Sequence, residues 1–350
     1  MLWWAGRRCS LSRPSTKLSC VGIFLGLSNF LVYCSRPVPC HSVPLHFFTS
    51  PSLPLPSKTS RASSTCWRSD LDWRNTHQVL LAAVDKLQEM SQQGLPDSSN
   101  SPETRITITS EHGKKLVGIL HDTGSKKIVI LCHGLRDTKD HNTVVSIASA
   151  LTRIGISSFR FDFSGNGESE GQFQFGNYWR EVDDLHSVTS YLKKNYDIIA
   201  VVGHSKGGNV VLLYASKYDD VKMVINVSAR FDLQKGIKER LGEGFFDRLE
   251  NDKTIQLVDG KGRFEVTKDS LMDRLSINMS EEVKKIKPDS RVLTIHGSND
   301  EVIPVEDAYE FEKVICNHKL HIIDGANHNY TFHNDKLASV VVDVITSSHL

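Results

Sequence analysis

Short, unbroken runs of Val, Ile and Leu recur between residues 127 and 323, and most are followed by a stretch of helical period. Strands are predicted over 127–132, 156–163, 198–202, 221–227, 291–295 and 320–323. Helices are predicted between them over 143–153, 178–194 and 206–217. A strand without polar alternation has no solvent face, so both of its sides must be covered, as in a parallel sheet. Strand–helix alternation with right-handed crossovers then gives an α/β class, doubly wound, mostly parallel sheet of about eight strands. The alternating segments 104–110 and 114–121 meet across His112-Gly113 and add an antiparallel hairpin.

One interval interrupts the rhythm. Residues 230–289 are rich in Lys, Glu, Asp and Gly, with helical-looking segments over 233–249 and 270–285. A connection that long is functional or folded on its own. It reads as a helical lid, with an inert surface insertion as the alternative.

In open parallel sheets, ligands gather at the carboxyl ends of the strands. After the 198–202 strand comes Gly203-His204-Ser205-Lys206-Gly207-Gly208. This G-x-S-x-G on a strand–turn–helix lifts a serine hydroxyl clear of the sheet, with Gly203 and Gly207 leaving room for neighbouring backbone. A serine needs a base, and His328, just past the last strand, fits the chain order Ser, acid, His. Of fifteen histidines, His204 adjoins the nucleophile with its ring expected to point away, and His318 and His321 fall on the wrong side of the turn. Asp300, after the 291–295 strand, is the favoured third member, and Asp232 is its rival. Oxyanion donors are expected from the backbone N–H groups of Lys206 and Leu135. His133 and Gly134 shape the loop that carries Leu135.

The set HGL, GHSKGG, GSNDEVIP and GANH resembles the α/β-hydrolase superfamily over about residues 104–350. The loop Asp162-Phe-Ser-Gly-Asn-Gly-Glu-Ser169 adds a pattern of its lysophospholipase-like and S33-type members. The run from Cys132 to Gly208 is similar to bacterial cinnamoyl (feruloyl) esterases and to organelle-targeted plant hydrolases. The resemblance implies a serine hydrolase with Ser205, Asp300 and His328 as its triad, acting on a small acyl ester without a cofactor. Lys206 stands where Gln or Met is common, and Leu135 where Phe is frequent; both change the pocket wall. Thioesterase, peptidase, acyltransferase and lyase variants share this machinery, and a ligand receptor on the same fold is a further alternative.

Charge divides the chain. Residues 1–69 hold eight Lys or Arg, no Asp or Glu, 14 Ser and 7 of the 11 Pro. That composition reads as a targeting leader, with the chloroplast expected first and the mitochondrion as an alternative. Within it, the uncharged residues 18–34 are just long enough for a membrane anchor to compete with that reading. A helix is predicted over 76–92 and a linker to residue 103; translation from Met90 would leave a cytoplasmic form. From Asp70 onward 34 basic residues face 41 acidic ones, which leaves no electrostatic footprint for nucleic acid. The body carries no metal-ligand spacing, and only Cys132 and Cys316 of the seven cysteines.

Overall fold

The structure is a computed structural model and describes residues 103–347. The leader, the apolar stretch 18–34, the 76–92 helix and Met90 lie outside the described residues. Eight strands form one sheet. In chain order they are β1 (Glu103–Thr109), β2 (Lys115–His121), β3 (Lys127–Cys132), β4 (Ser157–Phe161), β5 (Asp197–His204), β6 (Met223–Val227), β9 (Arg291–Gly297) and β10 (His318–Ile323). Their spatial order is β1-β2-β4-β3-β5-β6-β9-β10. β1 and β2 pair antiparallel, as do β2 and β4, and every other pairing is parallel. The doubly wound, mostly parallel sheet is therefore as expected.

The period-two geometry of β3 explains its sequence. Ile128, Ile130 and Cys132 enter the hydrophobic cluster on one face, while Val129 and Leu131 enter the cluster on the other. All five are buried, and each large aliphatic side chain so placed contributes about 1.5–3 kcal/mol. One face is covered by α2 (Tyr178–Leu192) and α3 (Lys206–Lys217), the other by α1 (Asn142–Arg153) and α9 (Asn334–Ser347). The α8 helix (Glu306–Val314) follows β9. Residues Lys206 to Ala215 of α3 are all buried, so this helix is fixed against the sheet along nearly its whole length.

The insertion corrects the all-helical expectation. It contains α4 (Ile237–Leu241), α5 (Phe245–Asp252), α6 (Lys268–Ser276) and α7 (Met279–Val283), but also an antiparallel hairpin of β7 (Thr254–Asp259) and β8 (Gly262–Thr267). Asp259-Gly260 begins the tight turn between two alternating runs, the local chemistry that favours a hairpin. The 233–249 segment is also not one helix: Gly242 and Gly244, at φ 83° and 64°, separate α4 from α5. Among the described residues, no helix is long and apolar enough to cross a membrane.

Candidate active site

β5 delivers Ser205 into a backbone conformation of φ 55° and ψ −118°. Such a conformation costs a non-glycine residue on the order of 1–3 kcal/mol, and only a rigid surrounding holds it. Here the Ser205 N–H donates to Val227 O of β6 at 2.7 Å, and the Ser205 carbonyl accepts from Gly208 N at 2.9 Å. The flanking glycines allow this approach. A Cβ on Gly203 would lie 2.1 Å from Gly207 O, and one on Gly207 would lie 2.4 Å from His133 O.

The Ser205 Oγ stands 3.0 Å from His328 Nε2, and His328 Nδ1 stands 2.8 Å from Asp300 Oδ2. Three residues far apart in sequence thus form one hydrogen-bonded chain. Asp300 Oδ1 accepts from the N–H groups of Val302 and Ile303 at 2.9 and 2.7 Å. Burial pushes this carboxyl's pKa upward, but hydrogen bonds from His296 and His328 outweigh it and hold the group below the usual carboxylate range. Asp232 is not in the chain; its Oδ1 accepts from Gln234 N in its own turn at 3.0 Å.

His328 is gripped through its peptide as well as its ring. Its N–H donates to Glu301 Oε2 at 3.2 Å, and its carbonyl accepts from His204 Nε2 at 2.9 Å. His204 is therefore not idle. Burial lowers its pKa well below the ordinary value, and its Nδ1 is buried without a partner, so the ring is neutral with its proton on Nε2. It stacks on His141 at 5.4 Å between centroids.

His133 Nε2 accepts from Phe163 N at 3.1 Å, which leaves Nδ1 to donate to Gly134 O at 2.8 Å. Burial, outweighing the Gly134 hydrogen bond, keeps this ring neutral too. The brace holds Gly134 against the nucleophile: a Cβ there would sit 3.1 Å from Ser205 Cβ. Leu135 lines the cavity beyond it. Lys206 is the first residue of α3, so its N–H is among the orphan donors of a helix N-terminus. Nearby, Asp162 ties the D-x-x-G-x-G-x-S loop to Lys139, accepting from its Nζ at 2.9 Å and its N–H at 2.7 Å.

The Lys206 side chain lies inside the protein, with Nζ 2.6 Å from Glu181 Oε1 and 4.9 Å from the centre of the Tyr178 ring. Burial pushes the Glu181 carboxyl up to about 7, against the pull of Lys206. Sequence reasoning missed Glu181, His204, His296 and Glu301. Glu181 had a signal: it shares an apolar helical stripe with Tyr178, Val182 and Leu185. An acid in such a stripe needs a buried cation. The others are joined by tertiary contacts with no local signature.

These groups open into a cavity of about 900 Å³, lined among others by Leu135, Phe175, Tyr178, Ile237 and Ile303. Among the described residues, Glu111, His112 and Asp183 form the one group able to offer a metal three donor atoms within 4.8 Å of one another. Asp183 already pairs with His112 and Lys217 at 3.0 and 2.9 Å.

Residues 123–251 match the family described as serine aminopeptidase, S33. The ferulic acid complex of Est1E from Butyrivibrio proteoclasticus is similar in structure, with a TM-score of 0.58 and 25% identity over 69% of this chain and 98% of that one. The Pyrococcus furiosus esterase Pf2001 shares the fold at a TM-score of 0.55 and 24% identity, over 72% and 92% of the two chains. An uncharacterised Salmonella typhimurium protein, YfhR, is 26% identical over 212 residues, which are 58% of this chain and 66% of that protein. The eight-stranded sheet and these neighbours give the chain the α/β-hydrolase fold, and the family match together with Est1E supports a serine hydrolase on it.

Proposed function

We propose that the protein hydrolyses a carboxylic ester through an acyl-enzyme on Ser205. The observation that carries this reading is the continuous chain from Ser205 Oγ through His328 to Asp300, with links of 3.0 and 2.8 Å at the mouth of a cavity. His328 Nε2 takes the hydroxyl proton as Oγ bonds to the acyl carbon, and Asp300 stabilises the imidazolium that results. The oxyanion accepts from the Leu135 and Lys206 N–H groups, each such donor being worth about 3 kcal/mol. Collapse breaks the bond to the alcohol, which leaves with the proton from His328. Water, deprotonated by the same ring, attacks the acyl-enzyme; the acid is released and Ser205 regains its proton.

Ester rather than aminopeptide chemistry is favoured by charge. An aminopeptidase must receive an ammonium group, yet eight basic and four acidic side chains line this cavity. Est1E, similar over 98% of its length, is described in complex with ferulic acid, and this supports an acyl group of small-molecule size.

Fluorophosphonate labelling combined with a p-nitrophenyl ester panel tests the proposal. The wild-type protein is expected to take the label and turn over short-chain esters, and Ser205→Ala to do neither. A folded wild-type protein that does neither refutes the esterase reading and favours a receptor. The leader over 1–69 is proposed to direct the protein to an organelle, the chloroplast first; import of a fluorescent fusion tests that separately.

A further inference from the structure

The cavity holds positive charge that ester hydrolysis itself does not use. Of its basic side chains, four already have carboxylate partners. Arg136 pairs with Asp259, Lys206 with Glu181 at 2.6 Å, Lys238 with Glu243 at 2.6 Å, and Lys261 with Asp137 at 3.1 Å. Three arginines from the insertion, Arg230, Arg240 and Arg274, line the same cavity. Among the described residues, no carboxylate oxygen lies within ion-pairing distance of any of them.

Two of the three are deeply placed: Arg230 is 9% exposed and Arg274 is 7% exposed. Their other bonds leave capacity free. Arg230 donates one amino group to Val302 O, and Arg274 donates Nε to Leu233 O at 2.9 Å. The Arg274 guanidinium also lies over the Phe175 ring at 5.1 Å. Partial desolvation comes first, and then the repulsion of Arg274 and Arg230, in weakening the hold of the more exposed Arg240 on its proton, so the three charges act on one another. Asp307 attracts Arg230 through space but makes no ion-pair contact with it. Asp307 spends Oδ2 on the Phe231 N–H at 2.8 Å, and Glu301 spends Oε2 on the His328 N–H at 3.2 Å.

Charges as buried as those of Arg230 and Arg274 are ordinarily paired, because an uncompensated one opposes folding. Arginine forks that line one cavity and lack an ion-pair contact suit a carboxylate or phosphate, which a guanidinium binds through paired hydrogen bonds. The apolar wall of Phe175, Tyr178 and Ile237 suits a short carbon spacer next to them.

We infer that the substrate is an ester that itself carries an anionic group, a carboxylate or a phosphate, seated on Arg230, Arg240 and Arg274 while its ester carbonyl faces Ser205. The inference rests on the esterase reading above and names the class of ester.

Its test is a matched set of activated esters hydrolysed by the full chain. In one series the acyl chain ends in methyl, carboxylate or phosphonate; in a second, the same three groups end the alcohol. In at least one series the anionic esters are expected to exceed the neutral one in kcat/KM by about 10- to 100-fold, the range of one or two charge-assisted hydrogen bonds. The carboxylate and phosphonate arms identify which anion is bound. That ratio is expected to fall about tenfold in Arg274→Gln and in Arg240→Gln, mainly through KM. Arg240 is exposed, so its variant keeps the test alive if Arg274→Gln fails to fold. Turnover without anionic preference in either series, or a preference untouched by both substitutions, overturns the inference and leaves the esterase reading standing. Absence of turnover together with absence of fluorophosphonate labelling overturns the esterase reading instead.

Discussion

The carboxyl edge of the sheet and the insertion over 230–289 face the same cavity but are held in different ways. At the edge, the backbone fixes position: Ser205 is bonded through its N–H to β6, and His328 through both ends of its peptide. Beneath lie clusters of 32 and 23 buried residues, one on each face of the sheet. Six insertion residues, among them Ile237, Leu249, Ile255 and Val266, form a separate small cluster with Phe175, while Leu233, Ile277, Met279, Val283 and Ile286 of the insertion join the larger cluster of the sheet. Side chains attach it to the edge: Arg136 donates to Lys261 O and Gly262 O at 3.3 and 3.4 Å and stacks on Phe264 at 4.1 Å. The hairpin, with Ile255 and Val266 in the small cluster, therefore has a low free energy of local opening. Chemistry thus sits where many backbone contacts determine one geometry, and selectivity where single side chains can be exchanged.

The largest break expected in this comparison is Ser205→Ala at the edge. Removing a triad nucleophile lowers kcat by about a million-fold in the best-studied serine hydrolase series. Steady-state hydrolysis of a short p-nitrophenyl ester checks it, with circular dichroism to show that the fold is retained. A loss under tenfold would move the nucleophile elsewhere.

The two regions also differ in how far they could be read from sequence. β3, β5 and β6 were legible because strands buried on both faces need continuous apolar runs, and the elbow because only Gly fits at 203 and 207. The β7–β8 hairpin was not: it falls between the two segments read as helical, in an interval rich in charge and glycine where no long apolar run marks a strand. His204 and Glu301 were invisible for another reason. Their partner, His328, is 124 and 27 residues away, and nothing local marks either side chain as facing it. Lys206 reads from the sequence as a substitution in the pocket wall; it does line the cavity, and its Nζ also enters a buried ion pair that the sequence did not announce.

That pair supplies the next largest effect. Lys206→Met leaves Glu181 in the interior without a cation, a change that typically costs about 3–5 kcal/mol. The double variant Lys206→Met/Glu181→Leu removes both charges and is expected to recover most of that loss. Urea denaturation of the four proteins forms a double-mutant cycle. Additive losses would mean that the pair is uncoupled.

On the other side of the cavity, Arg136→Ala cuts the attachment of the hairpin while leaving the sheet alone. The expected loss of global stability is smaller, about 1–2 kcal/mol for a partly desolvated cation–π contact with its hydrogen bonds. Local opening should respond more. Hydrogen exchange over residues 254–267 is expected to accelerate by about tenfold, with β3 and β5 unchanged. Uniform acceleration would mean that the insertion and the edge unfold as one unit.

Acid gives the smallest and most selective probe. The Asp300 side chain is fully buried, and its folded pKa lies below the ordinary 3.8. A carboxyl depressed in this way stabilises the fold above the unfolded value, and that stability drains away as pH falls toward the folded value. Asp300→Asn removes the linkage but keeps an oxygen to accept from Val302 and Ile303. Between about pH 3.8 and 2, the variant's unfolding free energy should therefore fall less steeply than the wild type's, by up to about 1.4 kcal/mol per pH unit. Asp259 in the insertion is also depressed, first by its hydrogen bond with Arg136, but its side chain is 44% exposed. Solvent screens that pair, so Asp259→Asn should leave the slope close to that of the wild type. Denaturation series at several acidic pH values distinguish the two. Equal slopes in wild type and Asp300→Asn would show that backbone donors, rather than its charge, account for what this residue contributes to the edge.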